Sequence, residues 1–318
     1  MRGRFLLAVS VVAAILVTVG TTAVLLWVEP KQSAAEAIKT GGLAGGAVVA
    51  LYALWLNDRR RRTEEARHEL ESDKIADERF ARAVEMMGNE ADQVRVGAMH
   101  ALAGLARATP RYKQTVLDVL CAYLRRPFPH PAFTERPDDP DQAFHRVEEG
   151  VERPTPEQDR ERTVRQTAQR LITDLLPWGQ DTDPTLYHLD LTGADVEYLR
   201  LEGRRIGRLT ARRTRFHGIT AFREVQFSKP ALFSGGTFLG RVDFQQARFL
   251  GGLSLQDAEF ARELDLRGAE VDLFVHMPPV PPKLVGSLAL RPATRVKEDA
   301  TGWELTGVEE ARFVGRDG

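Results

Sequence analysis

The side chains of this sequence that could perform chemistry are scattered rather than grouped. The single cysteine, Cys121, lies on an apolar stripe of a predicted helix, where a thiol is usually an inert small hydrophobe. No phosphate-binding loop, dinucleotide fingerprint or nucleophile elbow occurs. No two of the seven histidines have the spacing of a metal-ligand pair; they are His68, His100, His130, His145, His188, His217 and His276. The sequence therefore predicts a protein that is not an enzyme and has no catalytic residues, cofactor or metal.

A dense group of arginines is the strongest candidate for a binding site. Arginine binds phosphate groups well, so such a group would suit a phosphate-bearing partner, either a lipid headgroup or a nucleic acid. Nucleic acid is not favoured, because no aromatic residues interleave the arginines as in a single-strand binding groove. The alternative is a charged edge that keeps a repeat domain soluble. The candidates are Arg204, Arg205, Arg208, Arg212, Arg213 and Arg215.

Four regularly placed acids resemble catalytic carboxylate pairs when written as a list. They are Asp243, Asp257, Glu259 and Asp265. Each stands close to an apolar residue of the repeat described below, and such neighbouring positions should face solvent. The pattern therefore favours exposed acids over an acid-base pair.

The overall composition excludes several classes of protein. The chain has 318 residues, and 44 Lys and Arg against 45 Asp and Glu give a formal net charge of -1. This balance excludes a wholly basic nucleic-acid binder and a strongly acidic mimic of one. One cysteine cannot form an intrachain disulfide, which favours a reducing compartment over a secreted disulfide scaffold.

Two apolar segments at the N-terminus predict membrane spans. Residues 5–28 carry no charge and are long enough to cross a bilayer, although a cleaved signal peptide is the alternative. Residues 40–56 form the second predicted span. Arginines flank the pair at both outer ends, which predicts that both ends are cytoplasmic. We therefore expect a two-pass protein of the inner cell membrane, with both termini and the C-terminal domains in the cytoplasm.

Two features of this anchor, residues 1–56, and its boundary suggest partners. The four consecutive arginines after span two serve topology and could also contact anionic lipid; they are Arg59, Arg60, Arg61 and Arg62. Span two contains two overlapping G-x-x-x-G spacings, formed by Gly41, Gly45, Gly42 and Gly46. These could pack on span one or on another copy of the chain, although small residues are common in membrane helices.

The next part of the chain reads as helical. Residues 57–87 are free of proline, charged at first and then amphipathic, which predicts a connecting helix. Residues 88–183 follow as a small helical domain. Its segments beginning at Val94 and Val164 share a pattern that resembles a helix of HEAT or armadillo repeats. Between them, residues 127–159 are rich in proline and predict an extended loop.

Large apolar residues recur every five positions from Leu186, a period that fits neither a helix nor a strand. Further along, the spacing alternates between five and six, which gives two interleaved ladders with a step of eleven. Mostly small residues stand two positions before one ladder. The predicted core of the repeat comprises Leu191, Val196, Leu201, Phe216, Phe222, Phe227, Phe233, Phe238, Phe244, Phe249, Leu255, Phe260, Leu266 and Val271.

This repeat resembles the A-(D/N)-L-x-x unit of pentapeptide-repeat proteins, most clearly at Ala194-Asp195-Val196. The whole arrangement looks like bacterial membrane-anchored members of that family. The resemblance implies a right-handed, four-sided β-helix of about twenty residues per coil over residues 184–276. The alternating five and six residues depart from this pattern. Either a corner bulges regularly or each coil has about 22 residues.

The segment Met277–Pro282 is rich in proline and is predicted to stop the coil, because proline cannot donate a backbone hydrogen bond. A polyproline ligand for another protein is the alternative. Residues 277–318 should then form a cap or tail. The sequence as a whole thus predicts a membrane α-helical anchor, a HEAT-like helical domain and a β-solenoid.

The family resemblance implies no reaction, so the function must be argued from surfaces. Residues 186–275 contain 12 acids and 13 bases, which does not support the DNA mimicry known for some members of the family. We expect a non-catalytic, membrane-anchored scaffold that presents the solenoid to an unidentified protein partner. The alternative is a module that binds anionic lipid or nucleic acid through the two groups of arginines.

Overall fold

The computed structural model describes residues 2–28, 34–133, 154–280, 282–292, 294–296, 303–306 and 312–315. The chain divides into two compact units, Met1–Asp77 and Glu78–Gly318.

The first unit contains helix α1 (Arg2–Val28) and most of helix α2 (Ala34–Met86). By length and composition, both helices could cross a membrane, over Ser10–Trp27 and Ile38–Arg62. The boundary predicted at residues 56 and 57 falls inside α2, because no proline or glycine interrupts the chain between Gly46 and Gly88. The second predicted span and the connecting segment therefore form one continuous helix.

Helices α1 and α2 approach closely at two glycines. A side chain at Gly41 would overlap the Thr22 hydroxyl, and one at Gly45 would overlap the Thr18 hydroxyl. Both hydroxyls donate hydrogen bonds back to carbonyls of their own helix, Thr18 to Ala14 at 2.8 Å and Thr22 to Thr18 at 2.7 Å. The backbones can therefore touch without leaving a polar group unsatisfied in an apolar setting.

The second unit begins with a helical domain. It comprises α3 (Asp92–Ala108), a 3₁₀ turn (Pro110–Tyr112), α4 (Lys113–Leu124), a second 3₁₀ turn (Pro131–Phe133) and α5 (Pro156–Leu175). The apolar stripes of the three α-helices form one buried core with Met99, Leu102, Leu120 and Ile172. Helices α3 and α5 carry the HEAT-like pattern and pack on each other and on α4. Their relationship to HEAT repeats stays a prediction.

The predicted loop 127–159 is shorter than the sequence suggested. Helix α5 begins at Pro156, because Thr155 and Gln158 form a reciprocal capping box and proline fits the first helical position. The loop also contains the Pro131–Phe133 turn. Residues 134–153 of the predicted loop lie outside the described residues.

Four sheets form the sides of the β-solenoid, and each contains strands from successive coils. The β1 sheet contains β1 (Leu189–Asp190), β4 (Leu209–Thr210), β8 (Ala231–Leu232), β12 (Leu253–Ser254), β16 (Phe274–His276) and β19 (Arg295–Val296). The β2 sheet contains β2 (Asp195–Glu197), β5 (Arg215–His217), β9 (Thr237–Phe238) and β13 (Glu259–Phe260). All pairs within these two sheets are parallel.

The other two sides are built in the same way. The β3 sheet contains β3 (Arg205–Ile206), β7 (Gln226–Phe227), β11 (Arg248–Phe249), β15 (Ala269–Val271) and β18 (Leu288–Leu290), then β21 (Arg312–Gly315) and β20 (Trp303–Thr306) as an antiparallel hairpin. The β6 sheet contains β6 (Thr220–Ala221), β10 (Val242–Asp243), β14 (Leu264–Asp265) and β17 (Leu284–Val285). The described solenoid is thus four-sided and about five coils long.

The register of the strands decides between the two coil lengths that the sequence left open. Leu189 pairs with Leu209, 20 positions away, whereas Leu209 pairs with Ala231 and Ala231 with Leu253, each 22 positions away. The first coil therefore has the usual length of 20, and the phenylalanine-rich coils have 22. An extra residue in every second side accounts for the alternating spacing of five and six.

Stacked phenylalanines fill the centre of the solenoid. The ring of Phe238 lies 4.4 Å from that of Phe216 and 4.7 Å from that of Phe260, and all three rings are nearly parallel. Phe222 stacks on Phe244 at 5.5 Å in the same manner. Of the fourteen predicted core residues, Phe260 is partly exposed and the others are buried. Parallel in-register stacking of identical residues explains why the ladder repeats so strictly.

The prediction that the proline-rich segment stops the coil is wrong. After Pro278 and Pro279 the chain resumes parallel pairing, since β17 pairs with β14, β18 with β15 and β19 with β16. The apolar spacing also resumes, with Leu288 and Leu290 buried. Proline interrupts only one corner, so the solenoid extends to residue 296 rather than 276. The β20–β21 hairpin then continues the β3 sheet, as a cap would.

Candidate interaction surface

The N-terminal edge of the solenoid is closed by side chains that take the place of a missing coil. An open β-edge exposes unpaired N–H and C=O groups to any passing strand. At β1, the Gln114 side chain accepts a hydrogen bond from the His188 N–H at 2.8 Å and donates one to the His188 carbonyl at 2.9 Å. A single amide on α4 thus pairs with this edge as a neighbouring strand would.

Helix α5 closes the edge of β2. The Gln169 side chain accepts from the Glu197 N–H at 3.0 Å, and Arg165 donates to the Asp195 carbonyl at 3.3 Å. Arg165 is almost fully buried, and it also donates to the carbonyls of Leu124 and Arg126 at the end of α4. One guanidinium therefore joins α4, α5 and the first coil, and burial lowers its pKa.

Charged side chains reinforce the same junction. Arg162 donates to both carboxylate oxygens of the buried Glu197, at 2.7 and 2.8 Å. Arg125 pairs with Asp190 at 2.6 Å. Burial alone would raise the pKa of Asp190, but hydrogen bonds from Thr192 and the charge of Arg125 hold it below its ordinary value. The helical domain is therefore an end cap joined to the solenoid by paired charges.

The linker after α5 closes the edge of the β3 sheet. Trp178 forms a bridge with Arg204, and the Gly179 N–H donates to the Gly203 carbonyl at 2.8 Å. The guanidinium of Arg204 lies 3.7 Å from the centre of the Trp178 ring and donates to the Leu176 carbonyl at 3.0 Å. Gly203 has a φ of +66°, and a side chain there would press against the Trp178 ring.

An open groove of about 420 Å³ lies where the cap meets the solenoid. It is lined by Thr173 of α5, Trp178, and residues of the first two coils, including Arg200, Glu202, Arg223 and Glu224. Catalysis at this junction would require a closed polar pocket. The groove is open, and most of its charges belong to exposed side chains.

A short aromatic segment covers part of the β2 sheet. The ring of Phe133 stacks on that of His217 at 3.9 Å, and Phe128 and His130 pack around Phe133. His217 is buried and its Nε2 lies 2.9 Å from the carboxylate of Asp195, which also accepts two hydrogen bonds from Arg215. Sequence reasoning treated His217 as one of several scattered histidines and missed this pairing.

The structure divides the six candidate arginines of the binding site. Arg204 and Arg205 are half-buried and belong to the closed edge, and Arg205 donates to the Asp181 carbonyl. Arg215 forms a bidentate ion pair with Asp195, and both N–O distances are 2.7 Å. The other three are exposed and make no side-chain hydrogen bond or ion pair with any residue that the structure describes; they are Arg208, Arg212 and Arg213.

Two of the four regularly placed acids differ from the expectation that they face solvent. Asp243 and Asp265 are aligned in adjacent coils and are buried. Their carboxylates point outward but are covered by arginines, since Arg223 donates to Asp243 at 3.0 Å and Arg267 donates to Asp265 at 2.5 Å. Asp257 and Glu259 are exposed, as expected. No group of three or more possible ligands could hold a metal ion among the described residues.

The candidate membrane-proximal residues are also described. Arg62 pairs with Asp58 at 2.9 Å and Arg61 with Glu65 at 3.6 Å along α2, and all four side chains are largely exposed. Arg59 lies over the Trp55 ring at 5.3 Å, and Arg60 is exposed. Of the glycines, Gly41 and Gly45 face α1, whereas Gly42 and Gly46 face open space. Lipid binding and self-association remain predictions.

Four sheets, in which strands of successive coils pair in parallel, surround a column of stacked rings. This arrangement defines the second unit as a β-solenoid with a helical N-terminal cap. Two overlapping segments, residues 211–259 and 222–270, match the model of the family described as Pentapeptide repeats (9 copies). Residues 211–270 are therefore a pentapeptide-repeat segment. No curated protein and no solved structure matches the chain.

Proposed function

We propose that this protein is a membrane-anchored scaffold whose pentapeptide-repeat solenoid binds a protein partner through its sides. The observation that carries the proposal is the closed N-terminal edge. Because Gln114, Arg165 and the Trp178 segment occupy that edge, the surface left for a partner is the outward-facing rows of side chains on the four sheets.

The composition of the solenoid supports binding rather than catalysis. Its inward positions are filled by rings and aliphatic groups, and its described acids are either exposed or covered by arginines. The two apolar helices that precede it in the chain are long enough to hold it at a membrane. In this proposal the anchor restricts the solenoid to the membrane surface, and the solenoid binds the partner protein.

Site-specific photocrosslinking in living cells tests the partner. A photoreactive residue would replace one outward-facing position on each sheet, namely Leu232, Thr237, Arg248 and Arg241. Arg107, exposed on α3, serves as the control position on the helical domain. We expect a discrete protein adduct from one or two sides of the solenoid. An adduct from Arg107, with none from the four sides, would assign partner binding to the helical domain and contradict the proposal.

A further inference from the structure

The β1 sheet carries two exposed arginines in one row of outward-facing side chains. Along β4, Leu209 and Ala211 are fully buried, so Arg208, Thr210 and Arg212 must point outward between and beside them. Arg208 and Arg212 are exposed, and neither makes a side-chain hydrogen bond or ion pair with a described residue. We call these three residues the β4 row.

Charge around the β4 row is not balanced by nearby acids. The acid directly beneath it, Asp190, pairs with Thr210 in register and is already neutralised by Arg125 at 2.6 Å. In the next coil the corresponding residues are Pro230, Leu232 and Ser234, which carry no charge. The row therefore keeps two full positive charges on a flat surface.

The β6 sheet shows how the same fold neutralises its outward charges. There Arg223 binds Asp243, Arg267 binds Asp265 and Lys283 binds Glu263. If the arginines of the β4 row only kept the protein soluble, acids at the neighbouring positions would not interfere with that role. By pairing with the arginines, such acids would also stabilise the coil by small amounts. The row lacks such acids among the described residues, which leaves its guanidinium groups available.

We infer that the β4 row binds an acidic, extended segment of the partner protein. This inference rests on the proposed function and names the side and the chemistry of the contact. Same-side residues of an extended chain repeat about every 7 Å, so alternate side chains of an extended partner can follow the outward-facing residues of the β4 row. Carboxylates at the first and fifth positions of the segment can each receive two parallel hydrogen bonds from a guanidinium. The Thr210 hydroxyl faces the third residue of the bound segment, midway between the two carboxylates.

The test uses the full-length protein in nanodiscs of zwitterionic lipid and a fluorescent octaglutamate peptide as the probe. We expect saturable binding that weakens as salt is added. The double variant Arg208→Gln/Arg212→Gln should lose at least tenfold in affinity. The matched control is Arg248→Gln/Arg262→Gln, which removes the same charge from two exposed arginines elsewhere on the solenoid that make no side-chain hydrogen bond or ion pair with a described residue. It should retain affinity within about twofold, and all proteins should unfold at the same temperature.

Equal losses in the two double variants would mean attraction by net charge alone, and would overturn the inference. Absence of peptide binding would overturn it as well. Binding to vesicles containing phosphatidylglycerol that depends on Arg208 and Arg212, without peptide binding, would assign the row to a membrane surface instead. A photocrosslinked partner on another side of the solenoid would leave the scaffold proposal intact while contradicting this site.

Discussion

At the scale of single residues, the stacked rings should dominate the stability of the solenoid. Phe238 is fully buried between the parallel rings of Phe216 and Phe260. Phe238→Ala should lower the free energy of unfolding by about 3–5 kcal/mol, because it removes a buried ring and leaves a cavity. Thermal and denaturant unfolding of the purified protein would measure this. Arg248→Ala, at an exposed position, should change stability by less than about 0.5 kcal/mol, and an equal loss there would contradict the account.

A second prediction concerns the corner that joins the β3 and β6 sheets. Gln246 and Gly268 occupy equivalent positions in adjacent coils, with φ of 56° and 68°. A side chain in this left-handed region costs about 1 kcal/mol. Gly268→Ala should therefore destabilise the protein by about 1 kcal/mol, whereas Gln246→Gly should leave stability unchanged or raise it slightly. The same unfolding measurement applies, and opposite signs would show that side-chain contacts outweigh backbone strain.

Asp195 gives the junction a defined dependence on pH. Burial alone would raise its pKa, but hydrogen bonds from His217 and Arg215 outweigh burial and hold the pKa below its ordinary value. The stability gained from this carboxylate is therefore full above the unfolded pKa of about 4 and is lost as pH falls through the lower folded value. Between pH 7 and 3, the free energy of unfolding should fall more steeply for the natural protein than for Asp195→Asn. Parallel curves would contradict this assignment.

At the scale of elements, the helical cap and the first coils should unfold together. Arg165 is buried and donates hydrogen bonds to carbonyls of both α4 and β2. Arg165→Met keeps much of the volume but leaves these carbonyls unsatisfied, so it should cost about 3 kcal/mol and weaken the coupling. Hydrogen exchange would show faster exchange at the amides of Leu189 to Glu197. Unchanged exchange there would mean that the cap contributes no protection.

The elements also show what the sequence can and cannot predict. The step of eleven between Phe222, Phe233 and Phe244 predicts the stacked core, because each coil places the same ring type above its predecessor. The closure by Gln114 and Arg165 could not be predicted. These are polar residues on amphipathic helices. Their partners are backbone groups 30 or more residues away in the sequence, which no side-chain pattern marks.

Two expectations failed for related reasons. A proline-rich segment was expected to stop the coil, but proline removes a donor only at its own position, and the chain resumed pairing at Leu284. Asp243 and Asp265 were expected to face solvent freely. Their burial depends on Arg223 and Arg267 folding over them, a contact that the spacing of core residues does not encode.

At the scale of the whole molecule, the proposed function requires that two apolar helices hold a capped solenoid on the cytoplasmic side of a membrane. Cysteine labelling tests this directly, because burial raises the pKa of the natural Cys121 thiol to about 12 and keeps it unreactive. Single cysteines would be introduced by Ala35→Cys, near the start of α2, and by Gln256→Cys, exposed on the solenoid. The natural chain provides the control, since it should react only after unfolding.

The measurement is reaction with a membrane-impermeant maleimide in spheroplasts of a bacterial expression host, before and after the membrane is opened. We expect Ala35→Cys to react in intact spheroplasts and Gln256→Cys to react only once the membrane is opened. All variants should also stay with the membrane through an alkaline wash. Reaction of Gln256→Cys in intact spheroplasts, or release of the protein by the wash, would contradict the account.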